Sequence, residues 1–194
     1  MIDIEQIKQL RKETDISITE CKKALEQANG DLEKAKEILR KWGKELAEKK
    51  SSRETKQGLI ESYVHTNKRV GVLLDIRCET DFVKNSEQFK KLAHDLALQI
   101  AAMRPVYIKP EDVPEDVIAR EREIYKEQFS ESGRPEKIMQ EFIEGKIKKH
   151  LQEICLVSQP FIKDPDRTVQ DIINDYIAKL GENIVVKRFV RYEI

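Results

Sequence analysis

The chain has 194 residues, and 37% of them are charged, compared with about 25% in an average globular protein. Its 36 basic and 36 acidic residues give a formal net charge of zero, which excludes a strong positive field for nucleic acid over the whole chain. Hydrophobic residues, at 39%, suffice for a modest core, but no apolar stretch reaches the roughly 18 residues that span a bilayer. From the length we expect one large domain or, more often, one domain plus a small appended module, and we expect no membrane span.

The first fifty residues contain three short runs with helical periodicity. Within each run, apolar residues recur every three or four positions, the spacing that forms one face of a helix. Between the second and third runs, Gly30 suits the left-handed position after a helix, and Asp31 suits the N-cap of the next one. We predict a three-helix module over residues 1–43, followed by a charged linker over 44–56 that could begin as a helix.

The next segment changes to strand-type residues. β-branched and aromatic side chains dominate residues 58–77 and flank a polar turn at 65–68, a pattern that predicts a β-hairpin. From Asn85 or Ser86 an apolar stripe with helical spacing begins, and it ends before Pro105. We therefore predict a hairpin followed directly by a helix that packs on it.

Residues 115–130 and 135–153 read as two further helices, and they are dense in charge. Their apolar positions recur about every 3.5 residues, which is typical of helices that pack side by side. A turn sequence separates them at Ser132-Gly133-Arg134-Pro135. We predict a protruding antiparallel helical hairpin over about 115–153 whose outer faces are solvated.

The last forty residues combine strand and helix patterns. The apolar run 154–157 predicts a strand, and 184–192 alternates as a final strand. Between them, Thr168 and Asp171 form a capping box that opens a helix, and Gly181 ends it. The fold class is thus α+β, in which residues 57–194 form a core domain with a small antiparallel sheet covered by helices on one face.

Sequence patterns of enzymes are absent. No phosphate-binding glycine loop, nucleophile elbow or zinc-protease helix occurs. Cys78 and His65 could meet across the hairpin as a nucleophile pair, but we favour a buried strand cysteine. Glu79 and Asp81 are no more convincing as an acid–base pair. We expect no catalytic site, no cofactor and no metal.

The cysteines and the first residues indicate the compartment. Cys21, Cys78 and Cys155 are widely spaced, which predicts neither a disulfide framework nor a zinc site. The first fifteen residues lack the apolar stretch and cleavage site of a signal peptide. We therefore expect a cytoplasmic location.

The tetrapeptide Thr80-Asp81-Phe82-Val83 lies between the hairpin and the following helix. Thr80 and Asp81 favour a turn. Phe82 at such a junction would ordinarily pack in the core. The alternative is an exposed aromatic wedge beside a carboxylate, which would be a protein-binding hot spot.

Taken together, these segments resemble the elongation factor Ts family, bacterial guanine nucleotide exchange factors for elongation factor Tu. The resemblance covers essentially the whole chain, and the order and spacing of its motifs make it specific. The matching motifs are Leu10-Arg11-x-x-Thr14, Cys21-Lys22-Lys23-Ala24-Leu25, Asn29-Gly30-Asp31-Leu32, Ser62-Tyr63, His65, Gly71-Val72-Leu73, Thr80-Asp81-Phe82-Val83, Glu144-Gly145-Lys146 and Gln159-Pro160-Phe161.

The resemblance implies a mechanism and a set of contact residues. Phe82 would insert near the magnesium site of elongation factor Tu and disturb the GDP phosphates, with Asp81 assisting. Arg11, Ile18 and Lys22 match positions of a ubiquitin-associated-like module that face the GTPase domain. Their plainer interpretations are core packing for Ile18 and ordinary solvated charge for the two basic residues. His65 matches a histidine that meets a β-barrel domain of the partner.

The resemblance also bears on assembly. Many members carry two related core subdomains, whereas this chain has room for one, like short members that act as dimers. No cysteine occurs near the carboxy end, so the implied homodimer is non-covalent. One departure is the loop Asp15-Ile16-Ser17-Ile18, where many members have a Gly-Ala-Gly-Met-like sequence.

Three rival functions follow from the residues alone. The three-helix module by itself suggests ubiquitin binding, although a fold does not fix a function. The lysine-rich linker 44–56 suggests nucleic-acid binding, but its acidic residues argue against it, and we expect no direct nucleic-acid partner. A thiol enzyme would need a reactive thiolate at Cys78.

Overall fold

The computed structural model describes residues 3–130 and 136–194, and it is α+β as predicted. The helices are α1 (Ile4–Thr14), α2 (Ile18–Gln27), α3 (Leu32–Lys50), α4 (Asp81–Asn85), α5 (Glu87–Met103), α6 (Glu115–Ser130), α7 (Glu136–Ile154) and α8 (Val169–Leu180). The strands are β1 (Gln57–Val64), β2 (Val70–Cys78), β3 (Pro160–Phe161), β4 (Asp164–Thr168) and β5 (Val185–Glu193). Within these ranges, no helix is both long and apolar enough to cross a membrane.

Helices α1, α2 and α3 form a unit with its own apolar core. The predicted roles of Gly30 and Asp31 between α2 and α3 are confirmed. Gly30 has a left-handed backbone conformation with φ +83°. Asp31 is the N-cap of α3, because its side chain accepts hydrogen bonds from the backbone N–H groups of Glu33 and Lys34. The core is formed by small and aliphatic side chains, namely Leu10, Cys21, Ala24, Leu25, Ala28, Ala35 and Leu39.

Helix α3 connects this unit to the rest of the chain. It continues to Lys50, so the first part of the segment predicted as a linker is helical. A Cβ on Gly43 would lie 3.5 Å from the Cβ of Ala178 in α8, and the Lys44 ammonium lies 2.8 Å from the Asp171 carboxylate. The three-helix unit is therefore docked on α8 through α3.

The main sheet has the order β1-β2-β5 and is antiparallel throughout. One face packs on α5, where Phe89, Leu92 and Leu96 are fully buried against Leu74 and Ile76 of β2. Both the predicted hairpin and the predicted cover on one face are confirmed. The other face is not covered by α5.

The interpretation of residues 154–157 as a strand is wrong. Helix α7 continues through Ile154, Cys155 forms a single bridge to Tyr107, and Leu156–Ser158 is a 3-10 turn. Cys155 and Leu156 are fully buried, and a short buried apolar run does not distinguish a strand from a helix end. The short β3–β4 pair that follows was not predicted.

The two charged helices, α6 and α7, contact each other. Arg122 of α6 and Glu144 of α7 form an exposed ion pair between them at 3.0 Å. The turn predicted between them, Ser132-Gly133-Arg134-Pro135, lies outside the described residues.

Candidate partner-binding site

The tetrapeptide 80–83 forms the start of α4, a one-turn helix between β2 and α5. Thr80 is extended, with φ −120°, and its hydroxyl accepts a hydrogen bond from the backbone N–H of Val83 at 3.4 Å. Thr80 is therefore the N-cap of the turn. Sequence analysis predicted the turn at Thr80 and Asp81 but not its helical form.

The turn sends its two apolar side chains in opposite directions. Val83 is 3% exposed and belongs to the main core, whereas Phe82 is 83% exposed. Successive helical residues are rotated by about 100°, so a one-turn helix on the core surface can bury one of these neighbours but not both. The core interpretation of Phe82 is therefore wrong, and the exposed alternative describes its position.

Two side chains, those of Glu182 and Cys78, form hydrogen bonds with Thr80. The Glu182 carboxylate accepts hydrogen bonds from the Thr80 hydroxyl at 2.6 Å and from the Thr80 N–H at 3.0 Å. The Cys78 thiol lies 3.2 Å from the Thr80 carbonyl oxygen and donates to it. These contacts fix the entry of the chain into α4, and hence the direction in which Phe82 leaves the surface.

Cys78 is a structural residue and not half of a nucleophile pair. Its side chain is fully buried, and burial, reinforced by the Glu182 charge, raises the pKa of its thiol to about 11. The strand register places Cys78 opposite Gln57, at the far end of the hairpin from His65. The interpretation as a buried strand cysteine is confirmed, and the Cys78–His65 pair is not formed.

Three predicted contact residues lie on the three-helix unit. Arg11 is exposed near the end of α1, and its side chain has no hydrogen bond or ion pair with the described residues. Ile18 begins α2 and is 54% exposed, so the alternative that packed it in the core is wrong. Lys22 lies one turn further along the same face, 3.9 Å from Glu26. The divergent loop that leads to Ile18 begins at Asp15, the C-cap of α1, whose φ is +56°.

His65 lies at the other end of β1 and is exposed. Its Nδ1 is 2.9 Å from the Tyr63 hydroxyl, and the Tyr63 ring contacts the ring of His94 edge-on at 6.1 Å between centroids. His94 in turn lies 3.0 Å from the Glu61 carboxylate. This polar cluster is separated from α4 by the length of the sheet.

The predicted residues thus mark an extended surface. A groove of about 620 Å³ lies between α3, α8 and the start of β5, but none of the eight predicted contact residues lines it. Within the described parts of the chain, no group of three or more His, Cys, Asp or Glu side chains is placed to hold a metal ion. Contacts spread over several elements suit a macromolecular partner better than a small molecule.

Comparison with known proteins assigns the family. A family model described as "Elongation factor TS" matches residues 4–194. The chain belongs to the elongation factor Ts family. It is 53% identical to elongation factor Ts of Moorella thermoacetica over 194 residues, covering all of this chain and 96% of the relative. It is also 53% identical to the protein of Thermotoga petrophila over 193 residues and 50% identical to that of Rubrobacter xylanophilus over 191 residues.

The assignment confirms the family resemblance and places the chain in protein synthesis. Sequence analysis missed the residues that hold the tetrapeptide in place. Glu182 lies 102 positions after Thr80, and no local pattern links the two. The sequence gives only one general indication of this role. Glu182 follows Gly181, which ends α8, and therefore lies in the loop that connects α8 to β5 of the main sheet.

Proposed function

We propose that this protein is a guanine nucleotide exchange factor for elongation factor Tu. It binds the GDP-bound partner, places Phe82 near the Mg²⁺ and phosphate site, and promotes GDP release so that GTP can bind. The observation that carries this proposal is the 83% exposure of Phe82 on a turn that is anchored in the core by the buried Val83. Full burial of a side chain of this type in a partner contributes about 1.5–3 kcal/mol.

The mechanism is reciprocal coupling between two ligands of one partner. A protein that weakens nucleotide binding must bind the nucleotide-free partner more tightly by the same factor. Each tenfold loss of nucleotide affinity needs about 1.4 kcal/mol of differential contact, and one buried aromatic anchor can supply a few times that. Asp81, exposed beside Phe82, would add hydrogen bonding or repulsion of phosphate and acidic groups. The exchange factor supplies no catalytic group of its own.

The three-helix unit and His65 would form the other contacts. We take the unit to be the ubiquitin-associated-like module of the resemblance, with Arg11, Ile18 and Lys22 facing the GTPase domain. Their exposure supports this role, because all three side chains are accessible to a partner in the free protein. The exposed His65 would meet a β-barrel domain of the same partner.

No nucleic-acid or membrane partner is proposed, and the expected location is the cytoplasm. Lysines of the segment 44–56 are engaged within the chain, which weakens the case for a nucleic-acid contact. Lys44 pairs with Asp171, Lys56 lies 2.7 Å from Glu54, and the Lys50 ammonium donates to the carbonyl oxygen of Gly181.

The exchange function is tested by stopped-flow release of fluorescently labelled GDP from elongation factor Tu. We expect this protein to accelerate release in a concentration-dependent, saturable manner when unlabelled GDP is in excess. Bovine serum albumin at the same concentration controls for non-specific effects. A release rate that stays at the spontaneous value at all concentrations of the folded protein would refute the proposal.

Arg11→Ala and Lys22→Ala should weaken complex formation by electrostatic loss. Exposed charge contacts are worth about 0.2–1 kcal/mol each, so we expect a two- to fivefold rise in the dissociation constant at low salt. The difference from the parent protein should shrink as salt shortens the screening length. Isothermal titration calorimetry with nucleotide-free elongation factor Tu at two salt concentrations measures both the dissociation constants and their dependence on salt. The control is Lys8→Ala, which removes an exposed lysine of α1 that is paired with Glu5. Equal affinities for the parent protein and all variants at both salt concentrations would exclude an electrostatic role of Arg11 and Lys22.

We further propose that the protein is a non-covalent homodimer formed through the uncovered face of the sheet. Strand register places six exposed apolar side chains on this face: Ile60, Val64, Leu73, Val185, Val190 and Tyr192. In its middle Asp75, 3% exposed, pairs with Arg77 and Arg188, and the Arg77 guanidinium holds the pKa of the Asp75 carboxyl below its usual value.

The size of this face fits a second copy of the same sheet. Three strands of about nine residues span roughly 14 by 30 Å, so two faces packed together bury on the order of 1,000 Å² in total. That area lies at the lower limit of a specific interface. A flat antiparallel face rich in β-branched residues also packs well on another sheet, at a spacing of about 10 Å. The expected dimer is therefore reversible.

A further inference from the structure

The direction of Phe82 is set by a carboxylate that no motif of the sequence marks. Glu182, half-buried between α8 and β5, uses both carboxylate oxygens on the chain that enters α4. Its Oε1 accepts from the Thr80 hydroxyl at 2.6 Å, and its Oε2 accepts from the N–H groups of Glu79 and Thr80 at 3.1 and 3.0 Å. Three donors converge on one side chain.

A second set of bonds ties the same two segments in the opposite direction. The Glu79 carboxylate accepts from the N–H of Asn183 at 2.7 Å and lies 3.4 Å from the Arg53 guanidinium. The Asn183 side chain donates to the carbonyl oxygens of Arg53 at 3.0 Å and Ser51 at 3.4 Å. The chain entering α4 is thus held to the loop after α8 and to the end of α3.

Helix α4 needs such external support. Five residues are too few for a helix that is stable on its own, because forming the first turn fixes several dihedral angles for a single hydrogen bond. Val83 anchors the turn in the core, but Phe82, at 83% exposure, has little packing of its own to define its direction. Further restraints act on the chain that enters the turn, where Glu182 accepts two hydrogen bonds from Thr80 and one from Glu79.

We propose that Glu182 is a positioning residue for Phe82. By holding Glu79 and Thr80, it keeps α4 folded and Phe82 directed outward before the partner arrives, so that the ordering of this turn is not a cost of binding. The inference rests on the exchange function proposed above. It adds a residue that acts through the turn that carries Phe82.

The test is a double-mutant cycle on GDP release from elongation factor Tu, with Glu182→Ala, Phe82→Ala and the double variant. We expect Glu182→Ala to lower the maximal release rate about tenfold, because it removes three hydrogen bonds to a charged acceptor. In the Phe82→Ala background the same change should have less than about a twofold effect, since residues that act through one another are not additive. Glu182→Gln, which keeps one acceptor oxygen, should be intermediate.

A second measurement follows the turn without the partner. Amide hydrogen exchange of Glu79 and Thr80 should accelerate at least tenfold in Glu182→Ala, while the amides of β2 opposite β5 keep their protection. Glu141→Ala is the matched control, because it removes an exposed glutamate with no hydrogen bond or ion pair to the described residues. It should leave both the release rate and the amide exchange unchanged.

The outcomes separate this inference from the function on which it rests. If Phe82→Ala slows release but Glu182→Ala does not, the positioning role is refuted and the exchange function stands. If the effects of the two substitutions simply multiply, Glu182 acts independently of Phe82, and the inference fails as well. If the parent protein does not accelerate release at all, the exchange function fails, and the amide exchange alone then decides whether Glu182 orders the turn.

Discussion

Replacement of Phe82 by alanine is expected to reduce the acceleration of GDP release from elongation factor Tu by about 30-fold. This factor corresponds to about 2 kcal/mol, the loss expected when a central aromatic anchor is truncated. The stability of the free protein should change by less than about 0.5 kcal/mol, because the side chain is 83% exposed and leaves no cavity when removed. Stopped-flow release and urea unfolding of the same preparation measure the two quantities.

Two further variants sharpen this prediction. Phe82→Leu keeps an apolar side chain at the tip and should retain part of the activity. Ile138→Ala, which truncates an exposed apolar residue of α7, is the control, and it should accelerate GDP release from elongation factor Tu as much as the parent protein does. A folded Phe82→Ala protein that exchanges nucleotide as fast as the parent would show that the tip of α4 is not the element that disturbs the nucleotide site.

Leu73→Lys should convert the proposed homodimer to a monomer. Leu73 lies in the central strand, on the uncovered face and opposite Val190, where a second sheet would contact it. In a two-fold interface each substitution occurs twice, so two buried leucines of about 1.5–3 kcal/mol each are lost and two charges must be desolvated. We expect the dimer dissociation constant to rise more than 100-fold, as measured by sedimentation velocity over a range of concentrations.

The control for this variant is Ile138→Lys, which makes a similar change of an exposed apolar residue away from the sheet. It should sediment as the parent protein does. If the parent protein is already monomeric at high concentration, the homodimer is excluded. If in addition Leu73→Lys weakens binding to elongation factor Tu, the face belongs to the partner and not to a second copy.

Several elements could be predicted because their determinants are local. The capping box of α8 is confirmed, with the Thr168 side chain accepting from the Asp171 N–H and the Asp171 side chain accepting from the Thr168 N–H. Gly181, with φ +72°, ends that helix as its residue type indicated. The β1–β2 hairpin followed from strand-type residues on both sides of a polar turn.

Predictions for other elements were wrong because the structure of those elements depends on residues that are distant in sequence. Residues 154–157 have the composition of a strand but lie at a helix end, since a buried site accepts apolar residues in either conformation. For Phe82, residue type and local pattern favoured the core, whereas the tertiary packing of Val83 beneath α4 leaves Phe82 facing solvent. Ile18 likewise could not be assigned to core or surface from its spacing alone.

The sequence by itself determined the α+β class, the caps that start and end helices, and, through its ordered motifs, membership of the elongation factor Ts family. Each of these depends on residues that are close along the chain or on motifs in a fixed order. The tertiary structure alone decided that Phe82 is exposed, that Cys78 and His65 lie at opposite ends of a hairpin, and that Glu182 holds Thr80. These depend on contacts between residues far apart in sequence, for which side-chain periodicity carries no information.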